Sequence, residues 1–143
     1  MKKALIIGAA LLGLVLVGAG IGGYAIAQDD DPQETLSPTV YHDRLDAVCT
    51  RVGDALDSER SNEIAGAMEE AIADVEALAT PPSSIAFQEQ LVGLAARQAD
   101  LLRSLSDAKG ARAETLGAEL EQVGTDIDAL FAEQGGFEVC GQA

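Results

Sequence analysis

The sequence predicts an all-α protein: an N-terminal signal or transmembrane helix, then an antiparallel four-helix bundle closed by one disulfide. Three observations predict it. An uncharged apolar run fills residues 4–27, four apolar stripes at spacings of three and four follow it, and both cysteines lie beyond the run. The apolar inventory is mainly Ala, Leu, Ile and Val, with three Phe, two Tyr and no Trp. Closely packed helices suit that inventory better than a β-sandwich does. At 143 residues the chain allows one domain.

Residues 1–27 form the predicted export segment. Lys2 and Lys3 precede the apolar run, and Asp29, Asp30 and Asp31 follow it. The positive-inside rule then puts the N-terminus in the cytosol and everything after Ala27 outside. Two fates fit the segment. Ala25-Ile26-Ala27 before Gln28 has the small-x-small pattern of a signal-peptidase site. At about 1.5 Å per residue the run would also reach roughly 36 Å, enough for a retained anchor. In that case residues 4–27 are the chain's contact with the membrane. The segment holds no cysteine, so no lipid anchor can be attached within it. Gly18 and Gly22 form a GxxxG pair of the kind that pairs membrane helices.

Residues 28–37 are polar, acidic and interrupted by Pro32, the composition of a disordered linker. The predicted extracytoplasmic bundle spans 38–143. Ser37 is placed to cap its first helix, with Pro38 at the first helical position, where a missing N–H costs nothing. Tyr41, Leu45, Val48, Cys49, Val52 and Leu56 make the first stripe, with Asp43, Arg44, Asp46, Arg51 and Asp54 off it. The polar run 57–61 ends that helix.

Ile64, Met68, Ala71, Ile72, Val75 and Leu78 form the second stripe, stopped by Thr80-Pro81-Pro82-Ser83. A third helix starts near Ser83 or Ser84. Phe87, Leu91, Leu94, Ala95, Leu101, Leu102 and Leu105 share its face, with Gln98 interrupting. Lys109-Gly110 is the expected end, a basic residue followed by a C-cap glycine. The fourth helix carries Leu116, Leu120, Val123, Ile127, Leu130 and Phe131, and stops at Gly135-Gly136. Gly117 and Gly124, one heptad apart, are candidates for a close helix contact. Short connections between four stripes imply antiparallel neighbours.

Cys49 and Cys140 most simply form one disulfide in an oxidising compartment. Cys49 lies about 16 Å along a helix that starts at Pro38. An extended segment from Gln134 to Cys140 reaches up to roughly 23 Å, enough to fold back that far. The loop closed is on the order of 90 residues, for which chain entropy gives between about 3 and 4.7 kcal/mol. A redox pair or a metal pair are the rival readings, but no CxxC exists and a single His leaves a zinc site short of ligands.

Chemistry is sparse. His42 and Asp46 are four apart, a spacing that can orient an imidazole or bind a cation, but the expected reading is a solvent-facing pair beside the Tyr41 stripe. One His excludes the di-iron site of ferritin-like bundles, which needs two Glu-x-x-His motifs. Haem ligation by His42 or Tyr41 lacks a CxxCH, and Ser-His-Asp catalysis lacks a GxSxG elbow. Glu69-Glu70 and the Asp126 and Asp128 pair are ordinary on an acidic surface. Asp29-Asp30-Asp31 lacks the spaced ligands of an EF-hand. No catalytic, cofactor or metal residue is therefore expected. A formal net charge of −15, with 24 acidic against 9 basic residues, disfavours binding to nucleic acid or to anionic lipid headgroups.

Together YxxxLxxxC (Tyr41, Leu45, Cys49), LxxPP (Leu78 to Pro82) and GGFxxCG (Gly135 to Gly141) make a pattern behind an export segment. It resembles small exported helical proteins of actinobacteria, uncharacterised and lipoprotein-like, over about residues 38–141. Many of them carry a lipobox that this chain lacks. The resemblance implies a disulfide-closed helical envelope protein and no established activity. The expected function is a non-enzymatic exported module at the outer face of the cytoplasmic membrane, or secreted, that binds an envelope protein partner. The alternative is a binding protein for a small apolar ligand or a metal held between helices.

Overall fold

A computed structural model describes residues 35–58 and 60–141. The export segment 1–27 and residues 28–34 of the linker lie outside the described residues. Among the described residues no helix is long and apolar enough to cross a membrane. Four helices follow in order: α1 (Pro38–Leu56), α2 (Ser61–Glu76), α3 (Ile85–Asp107) and α4 (Ala111–Gln134), with a 3₁₀ turn at Pro82–Ser84 before α3. The described residues form an all-helical bundle.

The helix boundaries have local causes. Ser37 Oγ accepts the Val40 N–H at 3.4 Å and Pro38 takes the first helical position, as expected. Glu63, in the first turn of α2, accepts from Ser58 Oγ and from Arg60, which together hold its carboxyl below the usual range. Pro81 and Pro82 separate α2 from α3. Gly135, at φ 66°, caps α4, and its N–H donates to Phe131 O at 2.9 Å. One boundary differs from expectation. Gly110 was expected as the C-cap of α3, but α3 ends at Asp107 with Ala108 extended. Gly110, at φ 60°, instead starts α4, because a chain reversing within three residues needs a left-handed residue at that point.

Consecutive helices pack on one another: α1 on α2, α2 on α3 and α3 on α4. Each of these interfaces carries one exposed ion pair: Arg51 to Asp74, Arg103 to Glu69 and Arg97 to Glu119. Exposed pairs are worth little each, but they read out the register. Arg97 meets Glu119 while Ser84 meets Gln134, so residue numbers run in opposite senses along α3 and α4. The core is the predicted one: Tyr41, Leu45, Ile64, Leu102, Leu120 and Val123 are almost wholly buried. Ala65 on α2 and Ala99 on α3 are buried with them.

Two positions depart from the predicted pattern. Asp46 was expected off the first stripe, yet it is buried at 9% exposure. Gln98, an interruption in the third stripe, is buried within it at 4%. Leu36, within the predicted linker, is half-buried against the core and its N–H donates to Ala79 O at 2.8 Å.

Candidate functional site

The segment 135–141 folds back along α1, and each of its residues has a contact that explains it. Cys140 bonds to Cys49, with Cα atoms 5.7 Å apart and a sequence separation of 91. No cysteine among the described residues is free. One turn before Cys49, the Asp46 carboxylate receives three backbone N–H groups. Oδ2 accepts from Glu138 at 2.8 Å, and Oδ1 accepts from Val139 at 3.0 Å and Cys140 at 2.8 Å. Ionised acceptors make the stronger hydrogen bonds, and three donors converging on one carboxylate hold a segment that has no helix or strand of its own.

Phe137 enters an aromatic cluster with Phe87 and Phe131, ring centroids 5.5 and 4.9 Å away, while Phe87 and Phe131 are 5.4 Å apart. All three phenylalanines of the chain are spent there. His42 closes the cluster, 4.4 Å from the Phe137 ring. Gly136, at φ 83°, passes so close that a Cβ would sit 2.7 Å from His42 Nδ1. Gly141, at φ 73°, passes Phe131 in the same way, a Cβ there lying 2.6 Å from Phe131 Cβ. Gly136 and Gly141 are therefore held to glycine by packing as well as by φ, whereas Gly135 meets nothing within 4 Å and is held by its φ alone.

The predicted His42 and Asp46 pair does not form a site. No hydrogen bond joins them, and Asp46 is committed to the backbone of 138–140. Nor do the two face solvent: His42 is half-buried and its Nε2 is enclosed without a partner. Tyr41 is buried too. Its hydroxyl donates to Gln88 Oε1 at 3.0 Å, and burial pushes its pKa up to about 12.

The other candidate acids are scattered. Glu69 pairs with Arg103, Gln122 donates to Asp126 at 2.8 Å, and burial alone raises Asp128. Glu70 is exposed. Among the described residues no three His, Cys, Asp or Glu converge as metal ligands. Gly18, Gly22 and Asp29 to Asp31 lie outside the described residues. The spacing of Gly117 and Gly124 puts both half-buried on α4.

What the helices do form between them is a half-open apolar cavity of about 60 Å³. All four contribute to it: Leu45 and Val48 from α1, Met68 from α2, Leu91 from α3, and Ile127 and Phe131 from α4 are among its walls. Cys49 and Phe131 line this cavity and also contact the 135–141 segment, through Cys140 and Phe137, so the clasp lies beside it. Gln98 is the one polar residue in the lining. Its Oε1 is enclosed without a hydrogen-bond partner.

Sequence reasoning missed Asp46 and undervalued Gln98. The signal for Asp46 was its place three residues before Cys49, on the edge of the apolar stripe. The signal for Gln98 was the interruption itself, a polar residue where the period demanded an apolar one. No family model, curated protein or solved structure matches this chain.

Proposed function

We propose that the protein is an exported, non-enzymatic helical binding module of the cell envelope, whose bundle holds a small apolar ligand. In this reading residues 1–27 carry the antiparallel bundle to the outer face of the cytoplasmic membrane, or release it there by cleavage after Ala27. A disulfide between Cys49 and Cys140 is compatible with an oxidising compartment. The single observation that carries the reading is the cavity, whose walls are mainly Leu, Val, Met, Ile and Phe side chains with Ala71 and Ala95 among them. Small-molecule sites are concave and mostly apolar, and those of bundles lie between helices.

The test is a thermal-shift screen of small apolar compounds on the oxidised protein and on Ala95→Leu, which adds side-chain volume to the cavity wall. The expected result is stabilisation of the native protein that the variant loses. No stabilisation of either protein contradicts the reading.

A second reading has its own observation. Val40, Ile85 and Val139 are large apolar side chains left 40 to 48% exposed. Val40 and Ile85 open α1 and α3, and Val139 lies on the segment folded back along α1. Such residues suit contact with an envelope protein partner. Pull-down from envelope extracts, with native protein against Val40→Ser/Ile85→Ser, decides it: a partner retained by the first and lost by the second is expected.

A further inference from the structure

Asp46 and Cys49 stand one helical turn apart on α1, and both hold Cys140. The contacts that fix 135–141 are of two kinds. One is the sulfur bond. The others do not depend on it: the Glu138, Val139 and Cys140 N–H groups donate to the Asp46 carboxylate, and the Phe137 ring packs among Phe87, Phe131 and His42. Cys140 Sγ also lies 3.4 Å from Leu45 O, so the S–H of an unoxidised Cys140 has an acceptor on the same helix. One backbone position satisfies all of these, with the cysteine Cα atoms 5.7 Å apart, a separation that a disulfide spans. The N–H groups that the carboxylate receives end at Cys140 itself, so what Asp46 holds is the backbone that carries the thiol.

We infer that Asp46 is a positioning residue for the oxidation of Cys49 and Cys140. In the dithiol chain its carboxylate draws the 138–140 backbone onto α1 and raises the effective concentration of one thiol at the other. Without it, thiols at a sequence separation of 91 meet by closure of a long loop. The step takes a disulfide oxidant, for which oxidised glutathione serves as the probe. One cysteine thiolate attacks a sulfur of the oxidant, forming a mixed disulfide and releasing one glutathione thiolate. The second cysteine thiolate attacks the protein sulfur of that mixed disulfide. The Cys49–Cys140 bond forms and the second glutathione thiolate leaves. Two electrons pass to the oxidant, and the two cysteine protons end on the two glutathione thiols. Asp46 exchanges neither proton nor electron and acts through the backbone position of Cys140. The coupling is reciprocal: whatever Asp46 contributes to closing the bond, the bond contributes to the Asp46 contacts.

The test is the thiol–disulfide equilibrium of the full-length chain in buffers of reduced and oxidised glutathione, read by mass after acid quench as the effective concentration of the two thiols. Native protein, Asp46→Ala, Asp46→Asn and Ile64→Val are compared, with the helical circular dichroism of each dithiol form recorded alongside. Asp46→Ala is expected to lower the effective concentration about tenfold or more, which is what one hydrogen bond to a charged acceptor supplies. Asp46→Asn keeps one acceptor oxygen without the charge and should lower it less. Ile64→Val trims a buried side chain near the start of α2, away from the stretch of α1 between His42 and Cys49 that meets 135–141, and should leave it unchanged. A carboxylate that only stabilised the bundle would weaken the oxidised and dithiol forms alike and leave the equilibrium where it was. An unchanged equilibrium in Asp46→Ala therefore overturns the inference, and so does an equal fall in Ile64→Val. If the dithiol form of Asp46→Ala loses its helical signal, Asp46→Asn decides alone: a fall supports the inference and no fall overturns it.

Discussion

Asp46 and Cys140 are fastened to each other by the Cys140 N–H, 2.8 Å from Asp46 Oδ1, while the Cys140 sulfur is bonded to Cys49 one helical turn further along α1. The carboxylate holds Glu138, Val139 and Cys140, and the covalent link holds Cys140, from the same face of one helix. Their roles are separable. The disulfide shortens the unfolded chain's freedom, whereas the carboxylate satisfies donors in the folded one.

Replacing Asp46 by Ala leaves the N–H groups of Glu138, Val139 and Cys140 without an acceptor. The expected loss is about 2–4 kcal/mol in urea unfolding under oxidising conditions, since each stranded donor costs on the order of 1 kcal/mol or more. Combined with Cys140→Ser, the loss should be less than the sum of the two, because both changes release the same segment. An unchanged urea midpoint in Asp46→Ala removes the carboxylate from the account.

Two glycines should respond oppositely to alanine. Gly136 sits at positive φ with His42 under it, so Gly136→Ala is expected to destabilise by at least about 1 kcal/mol. Gly93 lies in α3, and a Cβ there meets nothing within 4 Å. Gly93→Ala should therefore stabilise by roughly 0.5–1 kcal/mol through helix propensity alone. Equal responses in urea melts would contradict this division.

Burial raises the Asp128 carboxyl above its ordinary 3.8. A raised folded value means the fold favours the neutral form. The stability it contributes is complete below 3.8 and is lost as pH rises through the raised value. Asp128→Asn stays neutral throughout. It should be more stable than the native protein at pH 7 and lose that advantage near pH 3. Denaturant midpoints across that range check it, and an advantage at pH 3 equal to that at pH 7 would rule burial of Asp128 out as the cause.

Most of this architecture could be read before the structure because helical periodicity is local. Leu45, Val52, Ile64, Leu91 and Ile127 are buried where spacings of three and four placed them. Cys49 with Cys140 followed from having two cysteines and a segment long enough to return. The rest depended on where a segment without regular structure would lie. Nothing in the spacing of α1 says that backbone N–H groups 92 to 94 residues away will need Asp46. His42 and Gly136 were legible singly, as a lone imidazole and a helix stop, but their contact exists only once 135–141 folds back. Gln98 was visible as a break in pattern, and its burial needed three other helices to enclose it.

The amides of Glu138, Val139 and Cys140 report most directly on whether Asp46 holds the 135–141 segment. Hydrogen exchange followed by NMR on the oxidised protein reads them one by one. Bound to Asp46, the three should be protected nearly as well as the amides of Leu102 and Val123 in the core. Exchange at the rate of an unstructured peptide, with the disulfide intact, would mean that the carboxylate holds nothing and that 135–141 is tethered by sulfur alone.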